Sequence, residues 1–85
     1  MTKSELIEQL SAKEHEGWSH WMHYLFSKCE ARFDGSVRIP SDLVARWQRQ
    51  STTDYEALGE QEKQSDRNRV ALIVPIIEEY GRGEG

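Results

Sequence analysis

The sequence predicts a mainly α-helical fold, a small single-domain bundle of three to four helices with an irregular central turn segment. Three observations predict it. Apolar residues recur at helical spacing near both ends of the chain. Ser or Thr stands three residues before Glu at several points, the spacing of a capping box. The one alternating apolar run is Val37-Arg38-Ile39, and a single short run does not make a sheet. A chain of 85 residues holds one domain. That domain is expected over 1–80. Residues 81–85, Gly-Arg-Gly-Glu-Gly, are expected to form a flexible tail.

The first helix starts at the Thr2 and Glu5 capping pair. Its apolar positions are Leu6, Ile7, Leu10, Trp18, Trp21, Met22, Leu25 and Phe26. Ser11 and Glu14 form a second capping pair, so two readings stand. One is a single helix from about Lys3 to Lys28; the other is a short helix with a break near Ser11. Gly17 costs a helix about 1 kcal/mol relative to Ala, which points to close packing against its backbone. Phe33-Asp34-Gly35-Ser36 reads as a turn. Pro40 keeps Ile39 out of the helical region. Ser41 is expected to cap a helix that ends near Gln50, with Leu43, Val44 and Trp47 on one side and Arg46 and Arg49 on the other. Thr53 and Glu56 repeat the capping spacing, so Tyr55 to Leu58 reads as one helical turn, interrupted by Gly59. A last helix is expected from Glu60, with Val70, Ile73, Ile77 and Tyr80 as its apolar positions, a kink at Pro75 and an end at Gly81.

The totals narrow the function. The net charge is −4, and the bases are scattered among the acids. Duplex nucleic acid is recognised largely through Lys and Arg on phosphates, so a polynucleotide partner is not expected. A small anion needs only two or three convergent cations and stays open. No apolar run approaches the roughly 20 residues that span a bilayer, so no membrane partner is expected. Cys29 stands alone, and no signal peptide precedes it; the expected setting is cytoplasmic. A core this small commonly needs a staple, and with no disulfide within the chain a homo-oligomer is the staple left open.

Four groups of side chains can carry chemistry. His15 and Trp18 share a helix face that Trp21 and Met22 extend. An imidazole beside indole rings can hold a flat ligand; equally, the indoles can be core and the imidazole can satisfy a local group. Glu16, His20 and His23 point one way and have a geometry that can hold a divalent metal, although a fourth ligand is not obvious and solvated residues look the same. No metal and no cofactor are expected. Lys63, Asp66 and Arg67 are helix-surface neighbours. The two cations can clamp a phosphate or carboxylate, or Asp66 and Arg67 can pair with Glu14 or Glu16 and lock two helices together. Arg46, Trp47 and Arg49 make a weaker set. Cys29 and His23 lie far apart around the helix, no Gly-rich phosphate loop appears, and the Ser residues look like caps and turns. The chain does not read as an enzyme.

Several of these stretches resemble the ryanodine-receptor-type repeat, or RyR domain, and the small stand-alone bacterial and phage proteins similar to it. The resemblance rests on His15-Glu16-Gly17-Trp18, on Tyr55-Glu56-Ala57-Leu58, and on Glu60-Gln61-Glu62-Lys63 followed by Asp66-Arg67. Trp21 and Arg46-Trp47 suit the phage-like members. The central Gly-Trp-x-Tyr-Gly and His-Pro stretches of the receptor repeats are missing; Gly35 to Ser41 stands in their place. The resemblance implies a compact helical module without catalytic activity, of a kind proposed to bind nucleotide-derived molecules. The first functional expectation is therefore a module for a nucleotide-like or other anionic ligand. Trp18, Trp21 or Tyr55 would stack, Lys63 and Arg67 would meet the charge, and His15 would hydrogen-bond. The alternative is a protein-interaction module or inhibitor acting on a host protein. An exposed apolar patch, or an acidic groove, with no pocket would mark that alternative.

Overall fold

The computed structural model describes residues 1–84. Helix α1 spans Lys3–Lys28 without interruption. Its start is fixed by a complete capping box: the Thr2 hydroxyl accepts from the Glu5 amide at 3.1 Å, and the Glu5 carboxylate accepts from the Thr2 amide at 3.1 Å. The pair satisfies two amides that the first turn otherwise leaves without partners. The Ser11 and Glu14 pair initiates nothing, and the single-helix reading holds.

After α1 the chain forms a short hairpin, β1 (Glu30–Ala31) paired antiparallel with β2 (Val37–Arg38). The sequence offered the second strand but no partner for it, because Glu30-Ala31 carries no strand signature. The predicted turn closes the hairpin. Asp34 accepts from the Ser36 amide and hydroxyl at 3.0 and 2.6 Å, and Gly35 takes φ +89°, a conformation that favours glycine. Glu30 and Arg38 face each other across the strands with a 2.8 Å ion pair.

Helix α2 spans Ser41–Ser51. Here the expected cap is corrected. Pro40 occupies the N-cap position, Ser41 is already helical, and no side chain caps the end. Proline has no amide hydrogen and a fixed φ, so it suits the entry to a helix. The Thr53 and Glu56 capping pair is also absent, because the Thr53 hydroxyl donates instead to the Arg49 carbonyl at 2.6 Å and helps terminate α2. Tyr55–Ala57 forms a 3-10 turn with Asp54 at its N-cap.

Helix α3 runs over Glu60–Glu84, with Pro75 inside it. Gly81 does not end the helix; residues 81–84 of the expected tail are helical, and Gly85 lies outside the described residues. The helix lies antiparallel against α1: the Arg69 guanidinium covers Gly17, and Gly83 approaches the amino terminus at Met1. The half-buried positions mark the seam. On α1 they include Leu6, Leu10, Lys13 and Gly17; on α3 they include Ile73, Ile76 and Tyr80. Spacings of three and four keep each set on one helix face.

Helix α2 lies across one end of the α1–α3 pair. The Trp47 ring meets Trp21 edge-on, with centroids 5.4 Å apart at 68°. Arg49 pairs with Glu62 at 3.0 Å. Among the described residues, no third helix lies over the other half of the α1–α3 pair. The chain measures 55 × 34 × 16 Å with a radius of gyration of 17.2 Å. A compact chain of this length would have a radius near 12 Å. Among the described residues none is fully buried. The molecule is thus mainly α-helical, as expected, but it is an open slab.

Candidate functional site

The α1 helix carries a row of rings. His15 stacks on Trp18, with centroids 6.0 Å apart and planes 23° from parallel. The His15 Nε2 also lies 3.5 Å from the Ser19 hydroxyl. One turn on, Trp21 packs against both Tyr24 and Trp47. The i, i+3 spacing of 15, 18 and 21 winds the row slowly round the helix. Trp18 is left more than half exposed at its outer edge, at 55%.

Two shallow hollows open on the face that carries α2. The first, of about 500 Å³, is lined by Trp21, Trp47, Gln50, Ser51, Thr53, Tyr55, Leu58 and Asp66. The second, of about 610 Å³, lies along α3 between Tyr55, Asp66, Arg67, Val70, Ala71 and Val74. Tyr55 and Asp66 belong to both and form the ridge between them.

The six residues singled out from sequence distribute as follows. Trp21 and Tyr55 meet in the first hollow, and Tyr55 and Arg67 in the second. The Lys63 ammonium lies 5.7 Å from the centre of the Tyr55 ring, within cation–π range. His15 and Trp18 line neither hollow. Their stack stands apart from the Lys63, Tyr55 and Arg67 group.

Charge in the site is already partly balanced. Arg67 donates to the Glu60 carboxylate at 3.2 Å and to the Gln64 side chain at 3.4 Å. Glu60 first, and Tyr55 after it, hold the Arg67 guanidinium above its ordinary value, so it is charged at every accessible pH. The helix-to-helix ion pair expected of Arg67 is made by Arg69, which reaches Glu14 at 3.8 Å. Asp66 places a carboxylate at the rim of both hollows, which disfavours a second anion there.

The other candidates stay separate. Glu16 pairs with Lys13 at 3.1 Å, and among the described residues no three His, Cys, Asp or Glu side chains gather in a way that could hold a metal ion. The Cys29 thiol donates to the Leu25 carbonyl at 3.2 Å. No helix among the described residues is long and apolar enough to cross a membrane.

Sequence reasoning passed over two features. Arg69, not Arg67, sits on Gly17; helix register alone could have shown this once the antiparallel pairing was known. The second is the division of the α3 apolar residues. Ile73 and Tyr80 face α1 and are half-buried, whereas Val70 and Ile77 are 53% and 50% exposed. A single apolar stripe in the sequence is two faces in the fold.

No family model matches this chain, and no curated protein and no solved structure matches it.

Proposed function

We propose that this chain acts by binding, without catalysis of its own, and that what it binds is protein. The observation that carries the reading is the lack of any fully buried residue among those described, together with large exposed apolar side chains on α1 and α3. Ile7, Trp18, Val70, Val74 and Ile77 are each between 39% and 55% exposed. Exposed apolar surface of this kind, beside shallow hollows, suits a partner surface better than a small molecule. The reading includes a cytoplasmic setting, supported by the single cysteine.

A photo-crosslinking side chain at position 77, compared with one at the exposed Glu79, tests it. The reading expects protein crosslinks, to any chain, in the cell from position 77 well above those from position 79. Equal, background-level yields from both would remove it.

A second reading has one observation in its favour. Tyr55 offers a ring between the two hollows, with Lys63 over it and Arg67 beside it. That group would stack on and pair with an anionic aromatic ligand against the opposing Asp66 carboxylate, and the RyR-like motifs belong with this reading. Thermal-shift measurements against nucleotides and cyclic nucleotides decide it. Stabilisation lost in both Tyr55→Ala and Arg67→Ala would support it; no stabilisation by any of them would end it.

A further inference from the structure

We propose that the half of the α1–α3 face not covered by α2 pairs with the same face of a second copy of this chain, as a two-fold antiparallel dimer. The proposal rests on the protein-binding reading above and names its partner.

At about 100° per residue, Ile7, Trp18 and Trp21 fall within about 60° of one another round α1. Trp21 touches Trp47 of α2, so this row points to the side that carries α2. On α3, Val70 and Val74 line a hollow with Tyr55 of the 3-10 turn, which also borders the Trp21 and Trp47 hollow. Val70, Val74 and Ile77 are spaced i, i+4 and i+7, so Ile77 continues that row. The exposed side chains of both helices therefore open on the same face, beside α2. Antiparallel register puts Ile7 near the level of Ile77, since Met1 meets Gly83 and Gly17 meets Arg69.

The chain exposes 6795 Å². A compact monomer of 9.9 kDa would expose about 5,200 Å². The difference exceeds the roughly 800 Å² per partner that a standard stable interface buries. The excess leaves room for an interface of that size, and a second copy offers an apolar face of the same shape.

Charge sets the orientation. Arg67 and Glu78 lie at opposite ends of the α3 strip, about 16 Å apart at 1.5 Å per residue. Both are exposed. Two-fold antiparallel pairing brings Arg67 of one copy towards Glu78 of the other, twice, with Val70 and Val74 between. Parallel pairing would instead set like charges side by side. A two-fold contact is also self-complementary by construction.

Sedimentation equilibrium of the full chain over a concentration series, with reductant to exclude Cys29 crosslinks, tests this. The wild type is expected at twice the chain mass. Val74→Glu and Ile77→Glu should each weaken association at least tenfold. Leu72→Glu is the control: Leu72 is 58% exposed but lies about 160° round α3 from Val70 and Val74, and the dimer should survive it. Arg67→Glu should weaken the dimer, and Arg67→Glu combined with Glu78→Arg should restore it; that rescue does not depend on the apolar variants folding. A wild type that stays monomeric overturns the proposal. So does a dimer that Val74→Glu leaves intact, one that Leu72→Glu breaks equally, or one whose charge swap fails to rescue. If the monomeric wild type also unfolds cooperatively with protected amides at 70–77, the protein-binding reading weakens with it. If those amides are unprotected, only self-pairing is lost and the face still awaits a different protein.

Discussion

At the scale of single residues, Gly17 shows how one missing side chain sets a helix contact. A Cβ there would lie 2.5 Å from the Arg69 guanidinium. The obstacle is the far end of a flexible, exposed side chain, held only by a 3.8 Å pair with Glu14. Surface pairs of that kind contribute little. Alanine is favoured over glycine in a helix by about 1 kcal/mol, so the backbone gain outweighs the displaced contact. Gly17→Ala should therefore raise the urea midpoint, by up to about 1 kcal/mol of stability, with Arg69 swung outward. The acid limb of stability belongs to this scale too. Hydrogen bonds from the Thr2 backbone and hydroxyl hold the Glu5 carboxyl below its ordinary value, and bonds from the Ser36 hydroxyl and amide do the same for Asp34. A depressed folded value means that the stabilisation is complete above the ordinary carboxylate range, near pH 4, and is lost as pH falls through the lower folded values. Helicity followed by circular dichroism should drop over that acid window, and Glu5→Gln should remove part of the drop.

At the scale of elements, the packing of α2 rests on two contacts of different kinds, the Trp47–Trp21 edge contact and the Arg49–Glu62 ion pair. Glu62 is the most sheltered member of any ion pair here, its side chain 14% exposed. Aromatic pairs contribute about 0.5–1.5 kcal/mol beyond the area they bury. Trp47→Ala should cost about 2 kcal/mol and release α2 while α1 and α3 stay helical, seen as lost near-ultraviolet dichroism with most far-ultraviolet signal retained. Elements were legible in the sequence where the signal was local. The Thr2 and Glu5 box, the Asp34-Gly35 turn and the α2 apolar side all stand where spacing placed them. Ser41 and Thr53 misled because a cap is a competition for one hydroxyl or one position: Pro40 took the first, and the Arg49 carbonyl took the Thr53 hydroxyl. The end of α3 misled because glycine permits a helix stop without enforcing one.

At the scale of the whole molecule, stability should be uneven. Among the described residues, the half of the α1–α3 pair that meets α2 has three helices in contact, and the other half has two. In the dissociated chain, amides of α1 near Leu6 and Leu10 and of α3 near Ile76 and Tyr80 should exchange faster than those near Trp21 and Leu25. Hydrogen exchange followed residue by residue checks this, and uniform protection along α1 would contradict it. The candidate site was legible only in part, for a reason that belongs to this scale. Residue types and spacings on one helix show which side chains share a face. They do not show which face another helix covers. Trp21, Tyr55 and Arg67 came to the hollows because α2 and the 3-10 turn fold over that end, whereas the His15 and Trp18 stack stands outside them.

The fold also sorts its three indoles into separate environments. Trp21 and Trp47 touch each other where α2 meets α1, while Trp18 is 55% exposed on the open face. Their ultraviolet emission is thereby divided between two events in the life of the protein. A blue shift from Trp18 would signal arrival of a partner, and a change in the Trp21–Trp47 pair would signal departure of α2, so an unlabelled sample carries its own two-channel fluorescent gauge.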